Sequence, residues 1–408
     1  MRADSVLSMQ GDAAEGVLLD VTRLVARSWT GRQPTGIDRV CTAYLRHFRS
    51  RARAVVQHRG LVRVLSARDS AVLFDLLDTP GRGARGRIAR MLSAALVTRP
   101  RRQAFAGWAY LNIGHTDFDL AVHREWARQA GVRPFYFVHD LIPVRHPEFS
   151  RPHAVRRHRG RVLRALESGA GIILGSQAVR ADLEAFAAER ALPLPPLVVA
   201  PLAGEDLPAD SGANPVPAAP FFLCVATIEP RKNHRLLLDL WQDLAARLGP
   251  HTPRLVLAGQ TGPMTGDLLA PLAEVPGLAA HVEHRPSCPD EELAALIRNA
   301  RALLMPSLAE GFGLPVVEAL QVGTPVIASD LPVFREVAQG AACLVDPADR
   351  AGWAQAILAA LQEPARRVEG FAMPRWPEHF HVVERFIAAP QPHAGSGVTP
   401  QSERVLAA

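Results

Sequence analysis

The sequence predicts an α/β protein made of two doubly wound domains. Short apolar runs alternate with amphipathic helical patterns along nearly the whole chain. A length of 408 residues exceeds one ordinary core and suits two domains of about 150 to 200 residues each. A stretch rich in Pro, Ala, Gly and Asp, residues 206–218, separates the two halves as a linker. The expected domains are therefore 1–205 and 219–375, and a Pro-, Gly- and Ser-rich tail over 390–408 is expected to be disordered.

In the first half, an apolar strand over 17–21 precedes Thr35-Gly36-Ile37-Asp38 and an amphipathic helix over 40–48. Strand, glycine turn and helix are the opening of a doubly wound domain. Gly81, Gly83 and Gly86 spell GxGxxG, yet no strand leads into them and no acidic residue follows about 20 positions later, so they are not a dinucleotide fingerprint. Arginines 82, 85, 87, 90, 99, 101 and 102 surround the apolar stretch 91–97. They mark either a basic amphipathic segment or a solvated loop and helix. After a strand over 109–113, Asp117-Phe118-Asp119 forms a DxD triplet, which can hold a divalent metal or cap a helix; with no other ligand nearby, capping is expected. A strand over 135–138 delivers His139 at its carboxyl end, the edge where open α/β sheets bind ligands, so His139 is a catalytic or sugar-contacting candidate. A basic helix over 156–167, a strand over 171–174, a helix over 178–190 and a segment over 197–200 complete this half.

The second half restarts with a strand over 221–226, a loop over 227–233 and a helix over 234–248. Arg231 and Lys232 lie in that loop, at a strand's carboxyl end, where both could meet a diphosphate. A strand over 254–259, a helix over 290–298 and a strand over 302–305 lead to the stretch with the densest chemistry, Glu310 to Glu318. Gly311 and Gly313 permit backbone conformations closed to other residues and close approach of a ligand. Pro315 suits the first turn of a helix and Gly323 its C′ stop. Unpaired amides at such a helix start make a phosphate site. Two carboxylates fit beside it if the ligand also presents hydroxyls, a ribose to Glu318 and a second sugar to Glu310. The bland alternative makes Glu310 a loop residue and Glu318 a solvated helix residue.

Charge is uneven behind a net of +6: residues 1–205 carry a balance of +13 and residues 206–408 one of −7. The first half thus meets, or at least tolerates, something anionic, and no helix-turn-helix, zinc-finger or RRM pattern points to nucleic acid. An anionic membrane surface or a phosphate-bearing acceptor is the other expectation. Of 46 basic residues Lys232 alone is lysine, which singles out a position wanting a compact ammonium. Four scattered cysteines imply free, mostly buried thiols in a reducing cytosol. No cationic region followed by an apolar block opens the chain, and no apolar run reaches the ~18 residues of a membrane span. A cytoplasmic protein, at the inner face of the membrane if docking occurs, is expected.

These motifs stand in an order that resembles the family 4 retaining glycosyltransferases over about residues 15–385. They are Thr35-Gly36-Ile37-Asp38-Arg39-Val40, Val138-His139-Asp140-Leu141-Ile142-Pro143, Thr227-Ile228-Glu229-Pro230-Arg231-Lys232-Asn233, Glu310 to Glu318, and Gly323-Thr324-Pro325-Val326. The form of the third is similar to bacterial mannosyltransferases of surface-polysaccharide assembly. The resemblance implies the GT-B architecture, two Rossmann-like domains facing across a cleft, with a helix over 376–389, starting at Trp376, that crosses back to the first domain. It implies that His139, Glu310, Lys232 and Arg231 are catalytic, and that Gly36, Gly311, Phe312, Gly313, Leu314, Glu318 and Arg285 bind the donor. In the family pattern, Glu310 is near the donor sugar, Glu318 on the ribose and Gly36 under the donor phosphate. Where many members carry an arginine six residues before the lysine, this chain has Ala226, so neutralising a diphosphate falls to Arg231 and Lys232. His284-Arg285-Pro286 stands at the nucleotide edge where Phe-Leu-Gly is common.

The implied activity is retaining, metal-independent hexosyl transfer, with no cofactor, from a nucleotide sugar to a lipid-linked or surface-polysaccharide acceptor. GDP-mannose is the first expectation for the donor and a UDP- or dTDP-sugar (glucose, rhamnose) the alternative. From other classes, an NAD-dependent oxidoreductase lacks its fingerprint, and a non-catalytic nucleotide- or glycan-binding protein has no need for the intact set His139, Lys232, Glu310 and Glu318.

Overall fold

The computed structural model describes residues 16–30, 34–58, 60–97, 105–209, 212, 216–217, 220–262, 264–362 and 367–389. Arg99, Arg101, Arg102, linker residues 210–211, 213–215 and 218–219, and the tail over 390–408 lie outside them.

The described strands form two sheets. The first contains β1 (Val17–Asp20), β2 (Ala52–His58), β3 (Leu61–Val64), β4 (Ala109–Asn112), β5 (Arg133–Val138), β6 (Gly171–Leu174) and β7 (Leu197–Val199), in the order β3-β2-β1-β4-β5-β6-β7. Every pairing in it is parallel except β2 with β3. The second contains β8 (Phe221–Val225), β9 (Arg254–Ala258), β10 (Val282–Arg285), β11 (Leu303–Met305), β12 (Val326–Ser329) and β13 (Cys343–Val345), in the order β10-β9-β8-β11-β12-β13, all parallel. β1, β4, β6 and β12 are buried at every position, as strands covered on both faces by helices must be. Strand order reverses between β1 and β4 and between β8 and β11, and a doubly wound sheet opens its ligand crevice at such a reversal.

Several expectations change. The helix after β1 is preceded by another, Thr22–Thr30, and itself starts at Gly36, four residues early, running Gly36–Phe48. Asp38 causes the early start: its Oδ2 accepts from both the Thr35 amide and the Thr35 hydroxyl at 2.8 Å. The DxD triplet does not cap the following helix. Leu120 is the N-cap of helix Ala121–Ala130, and Asp117 and Asp119 instead pair with Arg157 and Arg161 on helix Pro152–Ser168. The GxGxxG segment leads into helix Ala84–Val97, which turns Ala84 and Ile88 into the core and packs Met91, Leu92 and Ala95 against it. Its apolar face is therefore covered by protein, while Arg82, Arg85, Arg87 and Arg90 are exposed. All four cysteines are free; Cys41 and Cys224 are buried, whereas Cys343 is exposed.

Helix Trp376–Ala388 packs on the first sheet's side. The His379 ring bonds the Tyr44 hydroxyl at 2.9 Å through Nε2 and meets the Ala200 carbonyl at 3.1 Å through Nδ1, and His47 stacks on Phe380 at 3.9 Å. The two halves also touch directly. The Glu336 carboxylate accepts from the amides of Gln177 (2.8 Å) and Ala178 (3.1 Å), at the start of helix Gln177–Ala188, and the Ser176 hydroxyl donates to the Gly311 carbonyl at 3.1 Å.

Candidate active site

A cavity of about 440 Å³ lies between the carboxyl edges of the two sheets. Gly36, Arg39, His139 and Asp140 line it from the first half, and Arg231, Lys232, the segment from Glu310 to Pro315, and Glu318 from the second. Nearly all the residues singled out by sequence thus converge on one space. Arg285 is the exception. It does not line the cavity, because its guanidinium is held by Glu283 at 2.7 Å and Glu292 at 2.6 Å; its neighbour Pro286 faces the cavity instead.

Local chemistry builds the Glu310 loop. β11 is fully buried, and helix Leu314–Gln321 starts with Pro315 in its first turn. Gly313, at its N-cap, has φ of +100°, and an added Cβ would come 2.6 Å from the Phe334 ring, so glycine is required twice over. Gly323 follows the helix at φ +79°, the left-handed stop expected of it. Gly311 needs no special backbone angle. A Cβ there would fall 2.4 Å from the His139 carbonyl oxygen, so it is the opposing domain's backbone that makes the close approach.

Both carboxylates are buried, and each meets a cation. Glu310 pairs with the Lys232 ammonium, lies 3.1 Å from Arg231 Nη1, and accepts from the Ser307 hydroxyl at 2.8 Å. Burial alone would raise the Glu310 pKa; Lys232 and then Arg231 overcome it and bring the carboxyl down to about 2. Burial works against the Lys232 charge as well and lowers its pKa, with Glu310 opposing. Glu318, 1% exposed, is no solvated helix residue. Burial pushes its pKa up, and Arg39 counters from the other domain with Nη1 2.9 Å from Oε1.

The Glu310 pair ties stability to pH. A carboxyl held near 2 when folded, against an ordinary 4.5, contributes its full share above pH 4.5 and loses it as pH falls toward 2. Over that window the urea midpoint of the wild type should fall relative to that of Glu310→Gln, by roughly 3 kcal/mol in stability. Parallel midpoints across the window would show that the pair gives no such support.

On the other wall, burial brings His139 down to about 4, so it is neutral at pH 7. Its Nε2 lies 2.8 Å from the Ile113 carbonyl, which makes Nε2 the donor and leaves Nδ1 as the acceptor nitrogen. Gly36 lies at the first turn of its helix, with Leu314 Cδ1 3.5 Å from where a Cβ would stand. The turn before it is braced by Arg23 and Arg27, whose Nε atoms donate to Asp38 at 2.6 and 2.7 Å. Arg39 and Asp38 stand in the sequence motif that follows β1, but the sequence assigns neither of them a role. Their signal is spacing alone: Arg39 stands three residues after Gly36, about one helical turn on.

Residues 211–369 match the family described as glycosyl transferases group 1. Residues 211–369 thus resemble a group 1 glycosyltransferase domain. The chain is 34% identical over 227 residues to the serotype-specific mannosyltransferase WbdA of Escherichia coli, an alignment covering 52% of this chain and 28% of that protein. It is 36% identical over 147 residues to O-antigen chain mannosyltransferase B of Escherichia coli, covering 36% of this chain and 38% of that one. The chain thus spans well under half the length of these curated relatives. Solved structures agree over nearly the whole chain. HepE of Anabaena, in complex with UDP-glucose, superposes with a TM-score of 0.64 at 16% identity, covering 92% of this chain and 100% of that one. Sucrose-phosphate synthase of Thermosynechococcus elongatus superposes with a TM-score of 0.60 at 18% identity, covering 92% and 96%. The matched region forms the second half of a GT-B fold.

Proposed function

We propose that this chain transfers a hexose, with retention, from a nucleotide sugar to a glycan or lipid-linked acceptor. The observation that carries the reading is the cavity itself, where a glycine-started helix from each domain meets two buried carboxylates, each opposed by a cation. A nucleotide sugar fits that pattern, offering hydroxyls on both sides of a diphosphate. The ribose hydroxyls would reach Glu318, the diphosphate Gly36 and the start of helix Leu314–Gln321, and the sugar Glu310 and the acceptor nitrogen of His139. As the anomeric C–O bond breaks, charge grows on the leaving diphosphate, and fixed amides with Arg231 and Lys232 would stabilise it. GDP-mannose is the first donor to test, because the curated relatives are named mannosyltransferases. A UDP-sugar is the second, since the HepE structure contains UDP-glucose.

A panel of GDP-, UDP- and dTDP-sugars, read by thermal shift and by slow donor hydrolysis, should give a response to at least one. A shift with NAD and none with any nucleotide sugar would falsify the reading. Gly36→Ala separates binding from folding: its Cβ meets nothing closer than Leu314 at 3.5 Å. The melting temperature should hold while the donor KM rises by about tenfold or more as the methyl displaces the phosphate. An unchanged KM would remove Gly36 from the donor site.

Among the described residues no helix is long and apolar enough to cross a membrane. Contact with an anionic membrane is a second proposal, resting on the exposed Arg82, Arg85, Arg87 and Arg90 beside helix Ala84–Val97. With that helix's apolar face already packed inward, the attraction would be electrostatic and would fade with salt. No binding to phosphatidylserine vesicles at low ionic strength would exclude it.

A further inference from the structure

Three histidines gather at the N-terminal domain's side of the cavity, and the donor reading uses one of them. His115 follows β4, His139 follows β5, and His158 lies on helix Pro152–Ser168; all three are buried. The His115 ring centroid stands 5.0 Å from that of His139 and 5.4 Å from that of His158. Of the three, His139 lines the cavity. Burial lowers the pKa of each below the ordinary histidine value of 6.5. Each is therefore a neutral imidazole, with one N–H to donate and one nitrogen to accept.

Parallel pairing of β4 with β5 ends at Asn112 and Tyr136. One position further on, the rings take over. His115 Nε2 lies 2.8 Å from the Phe137 carbonyl, and His139 Nε2 lies 2.8 Å from the Ile113 carbonyl, so each ring reaches across to the other strand's chain. A carbonyl only accepts, so both Nε2 atoms carry the proton. His115 Nε2 also stands 3.4 Å from the His139 amide nitrogen, and the shorter contact, to the carbonyl, makes it a donor. On the far side, His158 Nε2 meets the Asp140 carbonyl at 3.0 Å. The main chain is thus tied by imidazoles two residues before His139 and one residue after it. A buried carbonyl left without a donor is costly, so these bonds resist breaking.

We propose that His115 and His158 are positioning residues for His139. They hold the chain on both sides of it, so that its ring keeps Nε2 on the Ile113 carbonyl and Nδ1 as its acceptor nitrogen. The proposal rests on the reading in which that nitrogen meets the donor sugar. His139 stands where such support matters, because a Cβ on Gly311 would fall 2.4 Å from its carbonyl oxygen. A small shift of this backbone therefore moves the ring and the contact between the domains together. His115 reaches its place through a left-handed backbone, φ +57°. Strain of that kind persists where the surrounding structure fixes it, and it clusters at functional sites.

The test compares the full chain with paired variants, using the donor found in the panel. His115→Asn tolerates the left-handed backbone, but its shorter amide does not reach the Phe137 carbonyl. His158→Phe keeps the ring's bulk without the N–H. Glutamine at either position places an amide N–H near where Nε2 stands. His115→Asn and His158→Phe should lower kcat by about tenfold to a hundredfold, the scale of a misplacement approaching 1 Å, while donor KM stays within about twofold. His115→Gln and His158→Gln should recover most of that loss. Heteronuclear NMR of nitrogen-labelled histidine rings reads the same effect without turnover: His139 should be protonated on Nε2 in the wild type and both glutamine variants, and mixed between tautomers in the other two. Wild-type kcat in His115→Asn and His158→Phe would overturn the proposal. So would a donor KM rising as far as kcat falls, glutamine variants as impaired as the others, or an unchanged His139 tautomer throughout. Should one of the two loss variants fail to fold, the pair at the other position decides. If no nucleotide sugar binds, the glycosyltransferase reading falls on its own, and the ring tautomers still decide whether His115 and His158 hold His139.

Discussion

Replacing Lys232 by methionine should lower kcat/KM for the nucleotide sugar by about two to three orders of magnitude, the scale on which loss of one preorganised charge stabiliser acts. Lys232 reaches the cavity from the loop after β8 and is paired there with Glu310. The pairing predicts a second, separable effect. Without the ammonium, Glu310 keeps only Arg231 as a nearby cation among the described residues, and disrupting a buried pair costs about 3 to 5 kcal/mol. Adding Glu310→Gln to Lys232→Met removes the stranded charge, so the double variant should regain most of the lost stability and none of the activity. Urea denaturation and steady-state kinetics on the four proteins of the cycle read the two effects independently. If Lys232→Met retains wild-type kcat/KM, Lys232 does not face the leaving diphosphate.

Gly311→Ala should be nearly as damaging, for a steric reason. The new methyl would stand 2.4 Å from the His139 carbonyl oxygen and 3.0 Å from Asp140 Cβ, both on the opposite domain. Neither neighbour is the far end of a flexible chain, so the domains themselves must part. A displacement of about 1 Å between reacting groups can cost about a hundredfold in rate. The expected outcome is a kcat loss of that order, with each domain still folded and the molecule more extended by small-angle scattering. A Gly311→Ala protein with wild-type turnover would show that catalysis does not need this contact.

The contrast between Gly311 and Gly313 shows how far sequence reading reaches. Both were singled out as glycines of a ligand loop. Gly313 owes its identity partly to its own backbone angle, which the neighbouring Leu-Pro helix start foretells. Gly311 owes its identity to a carbonyl some 170 positions earlier in the chain, which no local pattern signals. The same division runs through the fold. Helix His234–Leu248 and the start of helix Trp376–Ala388 fall where the sequence places them. β2 and β3 carry no clear strand signal in the sequence, because Arg53, Gln57 and Arg63 interrupt their apolar runs. Asp117 and Asp119 looked like helix caps because Arg157 and Arg161, their partners, lie about 40 residues away. The resemblance makes Arg285 a donor-binding residue, yet Glu283 and Glu292 hold its guanidinium and it does not line the cavity.

By itself the sequence determined the alternating elements, the two-domain division of a doubly wound protein, and the residues that gather at the strands' carboxyl ends. These follow from periodicity, proline and glycine, which act over a few residues. Only the tertiary structure decided which charges meet. Arg39 reaches Glu318 across 279 positions, and Lys232 and Arg231 reach Glu310 across 78 and 79. Coulomb attraction and steric exclusion depend on distance through space, and that distance exists only once the two sheets face each other.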